Sequence, residues 1–406
     1  MFRYLKLIRE EYPSQFWLLF WGMLISTAGA SMIWPFLMIF VSERLGLPMT
    51  ATASLMTLNA LAGLVASFIV GPITDRAGRK ITMIVGLAAT GLLYLAMIPA
   101  QTILAFAVLM TLRGFFNPLY RVGSDAMVAD LIPEEKRADA YALTRLSKNV
   151  GIALGPAVGG FVATASYGIA FWAAAIGLLT FSILLILYAQ ETLPAEENLP
   201  QGNTGFRSYS AIFANKNFIF FILAFTLAQI GSTIVWVLLG VYAKQNYGIL
   251  ENRFGLIPMT NALMVVALQV YVTRISKRYQ PLRMMTSGAF LYAIGVTSVA
   301  FANGFWGFWL SMVVITSGEL VLIPTATTFV ANISPADMRG RYMSIFSLCW
   351  GVASGIGPVV GGFLNDNISP QAIWFGGGLI GLMGALWFSL QAREKKTSQA
   401  FGASEV

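Results

Sequence analysis

Long apolar runs alternate with short polar breaks along the whole chain. A helix that crosses a bilayer needs about 20 apolar residues, whereas the strands of a membrane barrel show alternating patterns in segments of about ten residues. The runs here are long and do not alternate, so they predict an all-α membrane protein with twelve transmembrane helices. We number these spans 1 to 12, at roughly 14–42, 50–73, 80–100, 103–130, 138–165, 168–190, 216–243, 253–274, 283–303, 306–331, 339–364 and 370–392.

The composition and the distribution of charge support a membrane location. Of the 406 residues, 57% are hydrophobic and 11% are charged, whereas soluble domains carry about 25% charged residues. Most of the 26 Lys and Arg lie in alternate loops and at the two ends, which is the bias of cytoplasmic segments. We therefore expect a multi-pass protein of the cell (inner) membrane with both termini in the cytoplasm, and no nucleic-acid binding. The basic residues at the ends are Arg3, Lys6, Arg9, Arg393, Lys395 and Lys396.

Residue types that carry chemistry are scarce. The chain has one cysteine and no histidine, so it lacks a disulfide framework and the commonest metal ligand. Its sequence shows no phosphate-binding loop, nucleotide-binding motif or nucleophile–base set. We therefore expect no enzyme activity, no metal and no cofactor. Proton chemistry in this chain must use carboxylates, and the energy for any transport must come from an ion gradient or from the substrate's own gradient.

A polar segment divides the chain into two halves. Its Glu, Pro and Gly residues are typical of a solvated linker, so we predict an N-terminal six-helix half at 1–190, a cytoplasmic linker at 191–215 and a C-terminal six-helix half at 216–406. Residues recur at an offset of 202 in the same direction, which predicts two parallel repeats with the substrate path at their interface. The recurring residues are Asn59 and Asn261, Arg76 and Arg278, Pro133 and Pro335, Arg137 and Arg339.

Two patterns of glycine stand out against the apolar background. The loop at 71–80 combines charges with Gly71, which would permit a close helix approach, and Gly78, which would permit a tight turn. The other pattern lies in span 5 and recurs in span 11, where small residues allow helices to pack closely. We assign helix packing to this second set, which consists of Gly151, Gly155, Pro156, Gly159, Gly160, Gly357, Pro358, Gly361 and Gly362.

These patterns resemble the major facilitator superfamily over essentially the whole chain. The loop at 71–80 matches the family's motif between helices two and three at every fixed position, and the span 5 series resembles its antiporter motif. Arg113 and Gly114 in span 4 resemble its buried-arginine motif, although Asn117 stands where glycine is usual. The runs at 125–130 and 318–324 are similar to the drug:proton antiporter branch, including the lactococcal multidrug antiporter. The resemblance implies the major facilitator fold, with transport by alternating access.

The resemblance also implies a gate at the loop. Asp75 is expected to lie against the N-terminus of span 11, and Arg79 to reach Asp130, so that these contacts lock the outward-open state. The equivalent loop at 277–280 lacks the acid and the glycine, so the lock should be one-sided. The alternative is that the charges only solvate a cytoplasmic loop. The candidate gate residues are Gly71, Asp75, Arg76, Gly78, Arg79, Asp130 and Arg339.

Span 4 carries a polar stripe with a spacing of four residues. Arg113, Asn117, Arg121 and Asp125 share one slowly rotating helix face, which must point toward protein or water because charges in lipid cost several kcal/mol. From the rise of a helix, Asp125 lies about 7 Å inside its span and Arg145 of span 5 about 9 Å. An ion pair between them is one interpretation, and a proton site at Asp125 is the other. In the ion-pair interpretation, Arg121 and Lys148 are surplus cations that could attract an anion or keep a carboxylate ionised.

Glu319 is the only acidic residue inside the predicted spans of the C-terminal half, and it lies near the middle of span 10. Burial disfavours the charged form of a carboxylate, which is the property that a proton-coupling site needs. A cationic substrate would favour the ionised form and expel the proton. The alternative is a permanent ion pair with Arg113 or Arg121. The repeat equivalent of Glu319 is Asn117, so both could line the substrate cavity.

Further candidates for the cavity come from aromatic and amide side chains. Trp34 and Trp236 suit cation–π contacts, but such residues equally suit the aromatic belts that face lipid. Gln229, Asn261 and Asn149 are polar groups within spans and need partners inside the protein. The full predicted lining is Glu319, Asn117, Arg113, Arg121, Lys148, Asn149, Trp34, Gln229, Trp236 and Asn261.

Taken as a whole, the sequence predicts a monomeric secondary active transporter that moves a small molecule across the lipid bilayer. Our first hypothesis is a proton-coupled antiporter that exports hydrophobic or cationic drugs. The alternatives are an exporter or flippase of an anionic or amphiphilic metabolite or lipid, and a membrane sensor built on a transporter fold. The sensor is disfavoured because no soluble domain longer than the linker is present to pass on a signal.

Overall fold

The computed structural model describes residues 11–193, 212–334 and 339–402, except for the side chains at 134–135, 138, 339–341 and 394–402. Helices and turns account for these residues, and no strand occurs among them. Arg3, Lys6, Arg9 and most of the predicted linker lie outside the described residues, as do the side chains of Lys395 and Lys396.

All twelve predicted spans are helical, and several helices extend beyond the predicted ends because a helix can continue past the apolar run that crosses the membrane. A 3-10 turn at Trp34–Phe36 interrupts span 1 at Pro35, and span 8 begins with a separate short helix. The helices are Ser14–Ile33 with Leu37–Leu45, Met49–Ala77, Arg79–Met97, Ile103–Leu131, Glu134–Ala165, Tyr167–Tyr188, Lys216–Tyr247, Glu251–Phe254 with Leu256–Ser276, Pro281–Ser298, Gly304–Ile333, Arg339–Asn367 and Ala372–Gly402.

Eleven of these spans, within the described ranges, are long and apolar enough to cross a membrane. Span 5 is the exception, because charged and polar residues such as Arg145, Lys148 and Asn149 occupy its first half. Its second half carries the glycine series and is apolar. Polar groups within a membrane helix need partners inside the protein. We therefore expect the polar first half of span 5 to face other helices or a water-filled cavity.

The chain forms two compact units: Met1–Leu45 with Leu58–Gln201 and Leu250–Ala262, and Gly46–Thr57 with Gly202–Ile249 and Leu263–Val406. In the first unit span 1 packs against spans 5 and 6, and span 3 against spans 4 and 6. In the second, span 7 packs against spans 11 and 12, and span 9 against spans 10 and 12. The same helix pairs therefore recur at equivalent positions, as the repeat predicts.

The glycines of spans 5 and 11 lie at close helix contacts. A Cβ on Gly159 would overlap the carbonyl of Met32 in span 1, and one on Gly155 would overlap Ser31. In the second unit a Cβ on Gly357 would overlap the hydroxyl of Thr233 in span 7. Absence of a side chain at these positions lets the two backbones approach, so the glycine series sets the packing of spans 5 and 11.

Much of the aromatic content serves packing inside the units. Phe221, Phe225, Phe346 and Phe388 belong to one buried cluster of the second unit, where Phe225 and Phe346 lie 4.8 Å apart between ring centroids. Phe181 of the first unit is fully buried. Buried aromatic pairs contribute beyond the area they bury, so these rings stabilise the bundle and are not exposed to lipid.

The starts of spans 2 and 8 are capped by side chains from other spans. The carboxylate of Asp366 in span 11 accepts hydrogen bonds from the backbone amides of Met49 (3.1 Å) and Thr50 (2.8 Å). The hydroxyl of Thr164 in span 5 accepts one from the amide of Asn252 (3.0 Å). Thr164 and Asp366 are equivalent at the repeat offset, as are Thr50 and Asn252. Each unit thus holds a helix start contributed by the other half of the sequence.

Replacing Asp366 with Ala should lower the free energy of unfolding by about 1–2 kcal/mol, because a carboxylate at a helix N-terminus satisfies free amides and interacts with the helix dipole. Thermal unfolding of the purified protein in detergent measures the change. Asn367→Ala is the matched control, since its side chain bonds only within its own helix, and its effect should stay within about 0.5 kcal/mol. Equal losses in both variants would contradict the capping role.

Candidate functional site

The loop between spans 2 and 3 is organised around the buried guanidinium of Arg79. Its Nε lies 3.1 Å from Asp130 Oδ2, and its Nη1 lies 3.3 Å from Asp75 Oδ1 and 3.1 Å from the carbonyl of Thr74. Gly78 adopts a φ of 100°, a region that favours glycine. The predicted contact from Arg79 to Asp130 and the predicted turn at Gly78 are confirmed.

Two other expectations for this loop differ from the structure or lie beyond it. A Cβ on Gly71 would meet no atom of the described residues within 4 Å, so the part of the chain that the structure describes does not show the predicted close helix approach there. Asp75 is 61% exposed and paired with Arg79. Residues 335–338 and the side chain of Arg339 lie outside the described residues, so the contact of Asp75 with the start of span 11 stays a prediction, as does the role of Arg76.

Glu191, the first residue of the predicted linker, is a structural residue of this loop. Its carboxylate accepts hydrogen bonds from the backbone amides of Arg79 (2.9 Å) and Lys80 (3.0 Å) at the start of span 3. The neighbouring hydroxyl of Thr192 donates to Asp130 Oδ2 at 3.1 Å. Span 3 follows a glycine, which has no side chain to cap the helix. The absence of a local cap was the only feature of the sequence that indicated a cap from another segment.

The Glu191 cap predicts a loss of about 1 kcal/mol in unfolding free energy for Glu191→Ala. Glu191→Gln keeps one acceptor oxygen but loses the charge and the acceptor of one backbone amide. The part of its loss that is due to the helix dipole, about 0.3–1 kcal/mol, should shrink at high salt. Thermal unfolding in detergent at low and high salt measures both. A loss in Glu191→Gln that equals the loss in Glu191→Ala and does not respond to salt would contradict a charged cap.

Arg113 forms a second cluster, inside the first unit. Its Nη1 donates to Asn59 Oδ1 at 2.9 Å, and its Nε donates to the Tyr94 hydroxyl at 3.2 Å. The guanidinium also lies 4.2 Å from the centre of the Trp34 ring. Trp34 therefore contacts a cation of the protein itself. Gly114 makes room for this arrangement, because a Cβ there would overlap the carbonyl of Asn59.

A cavity of about 150 Å³ adjoins Arg113 within the same unit. Asn117 and Tyr120 also line it, and the Tyr120 hydroxyl is buried without a hydrogen-bond partner among the described residues. A water molecule occupies about 30 Å³ in the liquid, so the cavity can hold several. Arg113 and Asn117 are thus brought together at one cavity.

The ion pair of Asp125 differs from the predicted one. Lys148 Nζ lies 3.6 Å from Asp125 Oδ1, while Arg145 is exposed. The Tyr141 hydroxyl donates to the backbone carbonyl of Asp125 at 2.8 Å, so spans 4 and 5 meet at the expected depth. Depth does not determine which helix face is turned to the neighbour, and Lys148, not Arg145, lies on that face. Arg121 is also exposed.

Glu319 belongs to a polar cluster in the second unit. It is half-buried within span 10 and within electrostatic range of Tyr292 in span 9. The Tyr292 hydroxyl donates to the Ser232 hydroxyl at 2.7 Å, and Trp236 approaches the same group. Spans 7, 9 and 10 therefore bring hydroxyl and indole groups to the side of the span 10 carboxylate.

The predicted amide residues are distributed over both units. Gln229 is 3% exposed, and its Oε1 has no hydrogen-bond partner among the described residues. Asn261 is buried in the first unit and Asn149 is half-buried. Whether these residues line a substrate path stays a prediction.

Comparison with known proteins supplies the family. The model of the Major Facilitator Superfamily matches residues 19–230 and 221–405. The chain belongs to this superfamily. Its two matches agree with the two six-helix repeats, and membership makes the chain a multi-pass membrane transporter and not an enzyme.

Relatives of this transporter include an antiporter and a resistance protein. It is 28% identical over 378 residues to a Na(+), Li(+), K(+)/H(+) antiporter of Planococcus maritimus, covering 86% of this chain and 87% of that one. It is 23% identical to the quinolone resistance protein NorA of Staphylococcus aureus (strain MSSA476), covering 87% and 90%. The crystal structure of the nucleoside transporter NupG matches the fold with a TM-score of 0.78 at 13% identity, covering 93% and 99%.

Proposed function

We propose that this transporter is a proton-coupled antiporter that exports hydrophobic, cationic compounds by alternating access. The observation that carries the proposal is Glu319, a half-buried carboxylate in the middle of span 10 beside Tyr292 and Trp236. Similarity to NorA, which is named for quinolone resistance, supports export of drugs. Similarity to the Planococcus maritimus protein, named as a cation/H(+) antiporter, supports proton exchange.

The proposed coupling is competition for one carboxylate. Burial disfavours the charged form of a carboxylate, so the protonated form of Glu319 is favoured when no cation is bound. A lipophilic cation that enters the site neutralises the carboxylate instead, so the proton leaves. Trp236 offers an aromatic face to such a cation. Each ligand shifts the population of inward-facing and outward-facing states according to its relative affinity for them, and exchange follows because the two ligands exclude each other.

Two of the cations predicted to line the substrate cavity are bound to groups of the protein itself. Arg113 is hydrogen-bonded to Asn59 and Tyr94, and Lys148 is paired with Asp125. Arg121 is exposed and supports the alternative of an anionic or amphiphilic substrate, although Lys148 does not add to it as predicted. Asp125 therefore enters the proposal as a secondary proton site whose charge is balanced by Lys148.

Alkali-cation/proton exchange is a second candidate, favoured by the similarity to the Planococcus maritimus antiporter. The same carboxylate would then exchange a proton for Na(+), Li(+) or K(+). The lipophilic cation remains our first choice because Trp236 offers an aromatic face near Glu319.

Liposomes with an imposed pH gradient separate these substrates. The purified transporter should accumulate ethidium or tetraphenylphosphonium against its gradient, with neither Na(+) nor an anionic amphiphile transported at a comparable rate. Gradient-driven Na(+) transport without ethidium transport would favour the second candidate. Anion transport independent of pH would contradict both.

We also propose the sidedness, domain boundaries and oligomeric state that the sequence predicts. Both termini lie in the cytoplasm, the transporter resides in the cell (inner) membrane, and one monomer is the functional unit. The halves 1–190 and 216–406 rock about the central site, joined by the linker at 191–215, and the Arg79 cluster acts as the gate. The uneven distribution of Lys and Arg supports this orientation.

A further inference from the structure

A cavity of about 350 Å³ lies in the second unit, between the C-terminal ends of spans 8 and 10 and the loop at 277–280. Small-molecule sites occupy about 300–1,000 Å³, so it is large enough for a ligand group. Apolar atoms, including those of Phe329 and Ile333, form most of the wall, and Lys277 and Asn332 supply polar groups. The positive bias of the loops predicts that this end faces the cytoplasm.

This cavity occupies the place of the Arg79 cluster in the other repeat. At the offset of 202, Pro281 replaces Arg79, Asn332 replaces Asp130, and Lys277 replaces Asp75. In the first unit the guanidinium fills the corner and pairs with both acids. In the second, both acids and the arginine are absent, and the sign of the charge at the position of Asp75 is reversed. The corner is therefore open and complementary to an anion.

Four basic side chains near the cavity indicate that it receives an anionic ligand. The exposed side chains of Arg274, Lys277, Arg278 and Arg283 lie in or next to the loop, and none forms an ion pair within the described residues.

We propose that this cavity binds the phosphate headgroup of an anionic phospholipid from the cytoplasmic leaflet. Lys277 pairs with the phosphate, the amide of Asn332 donates to one of its oxygens, and an acyl chain lies along the apolar wall at Phe329. A lipid is favoured over a soluble phosphate because the wall is mainly apolar and lies at the end of two spans. Basic pockets between membrane helices on this side are suited to anionic headgroups. The proposal does not depend on the exported compound.

Binding of short-chain lipids to the full-length purified transporter in detergent tests the proposal. The probes are dioctanoyl phosphatidylglycerol, dioctanoyl phosphatidylcholine and inorganic phosphate. Lys277→Gln removes the cation, and Thr328→Trp adds bulk at an exposed wall position. Lys136→Gln is the matched control, because Lys136 is an exposed lysine in the first unit that pairs with Glu11. Thermal unfolding establishes that each variant is folded.

We expect saturable binding of the phosphatidylglycerol and much weaker binding of the other two probes. Lys277→Gln should weaken it about fivefold, which corresponds to about 1 kcal/mol for one basic residue at an anionic lipid surface, and Lys136→Gln should not. Thr328→Trp should block it. Equal binding by the transporter and both cavity variants would overturn the proposal. So would equal binding of the two lipids, or binding of inorganic phosphate as tight as that of the lipid.

Discussion

Replacing Glu319 with Gln is expected to abolish proton-driven accumulation of tetraphenylphosphonium in liposomes while the protein still folds. Gln has nearly the shape of the protonated carboxyl group but cannot release a proton. Because the proposed proton and cation exclude each other, the variant resembles the proton-loaded carboxyl group and should bind the cation weakly. Any residual exchange of labelled for unlabelled compound should no longer depend on pH. Transport under a pH gradient and exchange at equal pH measure the two properties separately.

Glu251 provides the matched control for this experiment. It is 2% exposed and accepts a hydrogen bond from the Tyr167 hydroxyl in the first unit, so it is a buried carboxylate outside the Glu319 cluster. Glu251→Gln should keep the number of protons exchanged per cation even if the rate falls. Uncoupling by Glu251→Gln, with coupling intact in Glu319→Gln, would show that the proton site is Glu251 and not Glu319.

Replacing Arg113 with Ala is expected to lower the free energy of unfolding by about 3 kcal/mol and to stop transport. The change removes hydrogen bonds to Asn59 and Tyr94 and the contact with Trp34, and each hydrogen bond to a charged group contributes about 1.5–3 kcal/mol. Arg113→Lys keeps the charge, but an ammonium cannot reproduce the fork of the guanidinium. It should therefore recover only part of the stability. Thermal unfolding and liposome transport measure the two effects.

Arg121→Ala is the control for the Arg113 prediction. Arg121 lies two helical turns further along the polar stripe of span 4 and is exposed, so its loss should change the unfolding free energy by less than about 0.5 kcal/mol. If Arg121→Ala costs as much stability as Arg113→Ala, the hydrogen bonds and ring contact of Arg113 do not account for its effect.

The fold follows from features that a sequence displays directly. Twelve apolar runs predict twelve helices because lipid requires every backbone group to be bonded within the helix. The 202-residue offset predicts the shared arrangement of helix pairs, because equivalent small residues recur in equivalent spans. The contact of Arg79 with Asp130 was predictable from a local motif and the family resemblance.

Contacts that depend on helix rotation or on distant segments were not predictable. Matching depths suggested Arg145 as the partner of Asp125, but a rise per residue gives no rotation about the helix axis, and Lys148 occupies the facing side. Glu191 and Asp366 cap helices that are far from them in sequence, and a cap of this kind leaves no periodic pattern. Gly71 belongs to a matched motif, yet no neighbour among the described residues lies within 4 Å of its Cβ position.

Proton release from the purified transporter tests competition at Glu319 most directly. Tetraphenylphosphonium is added to the protein in weakly buffered detergent, and the pH change is compared with the amount of cation bound. The transporter should release about one proton per bound cation, because the two compete for one carboxylate, while Glu319→Gln should bind little of the cation and release no proton. Cation binding without proton release by the unmodified transporter, or equal release by Glu319→Gln, would contradict the proposed mechanism.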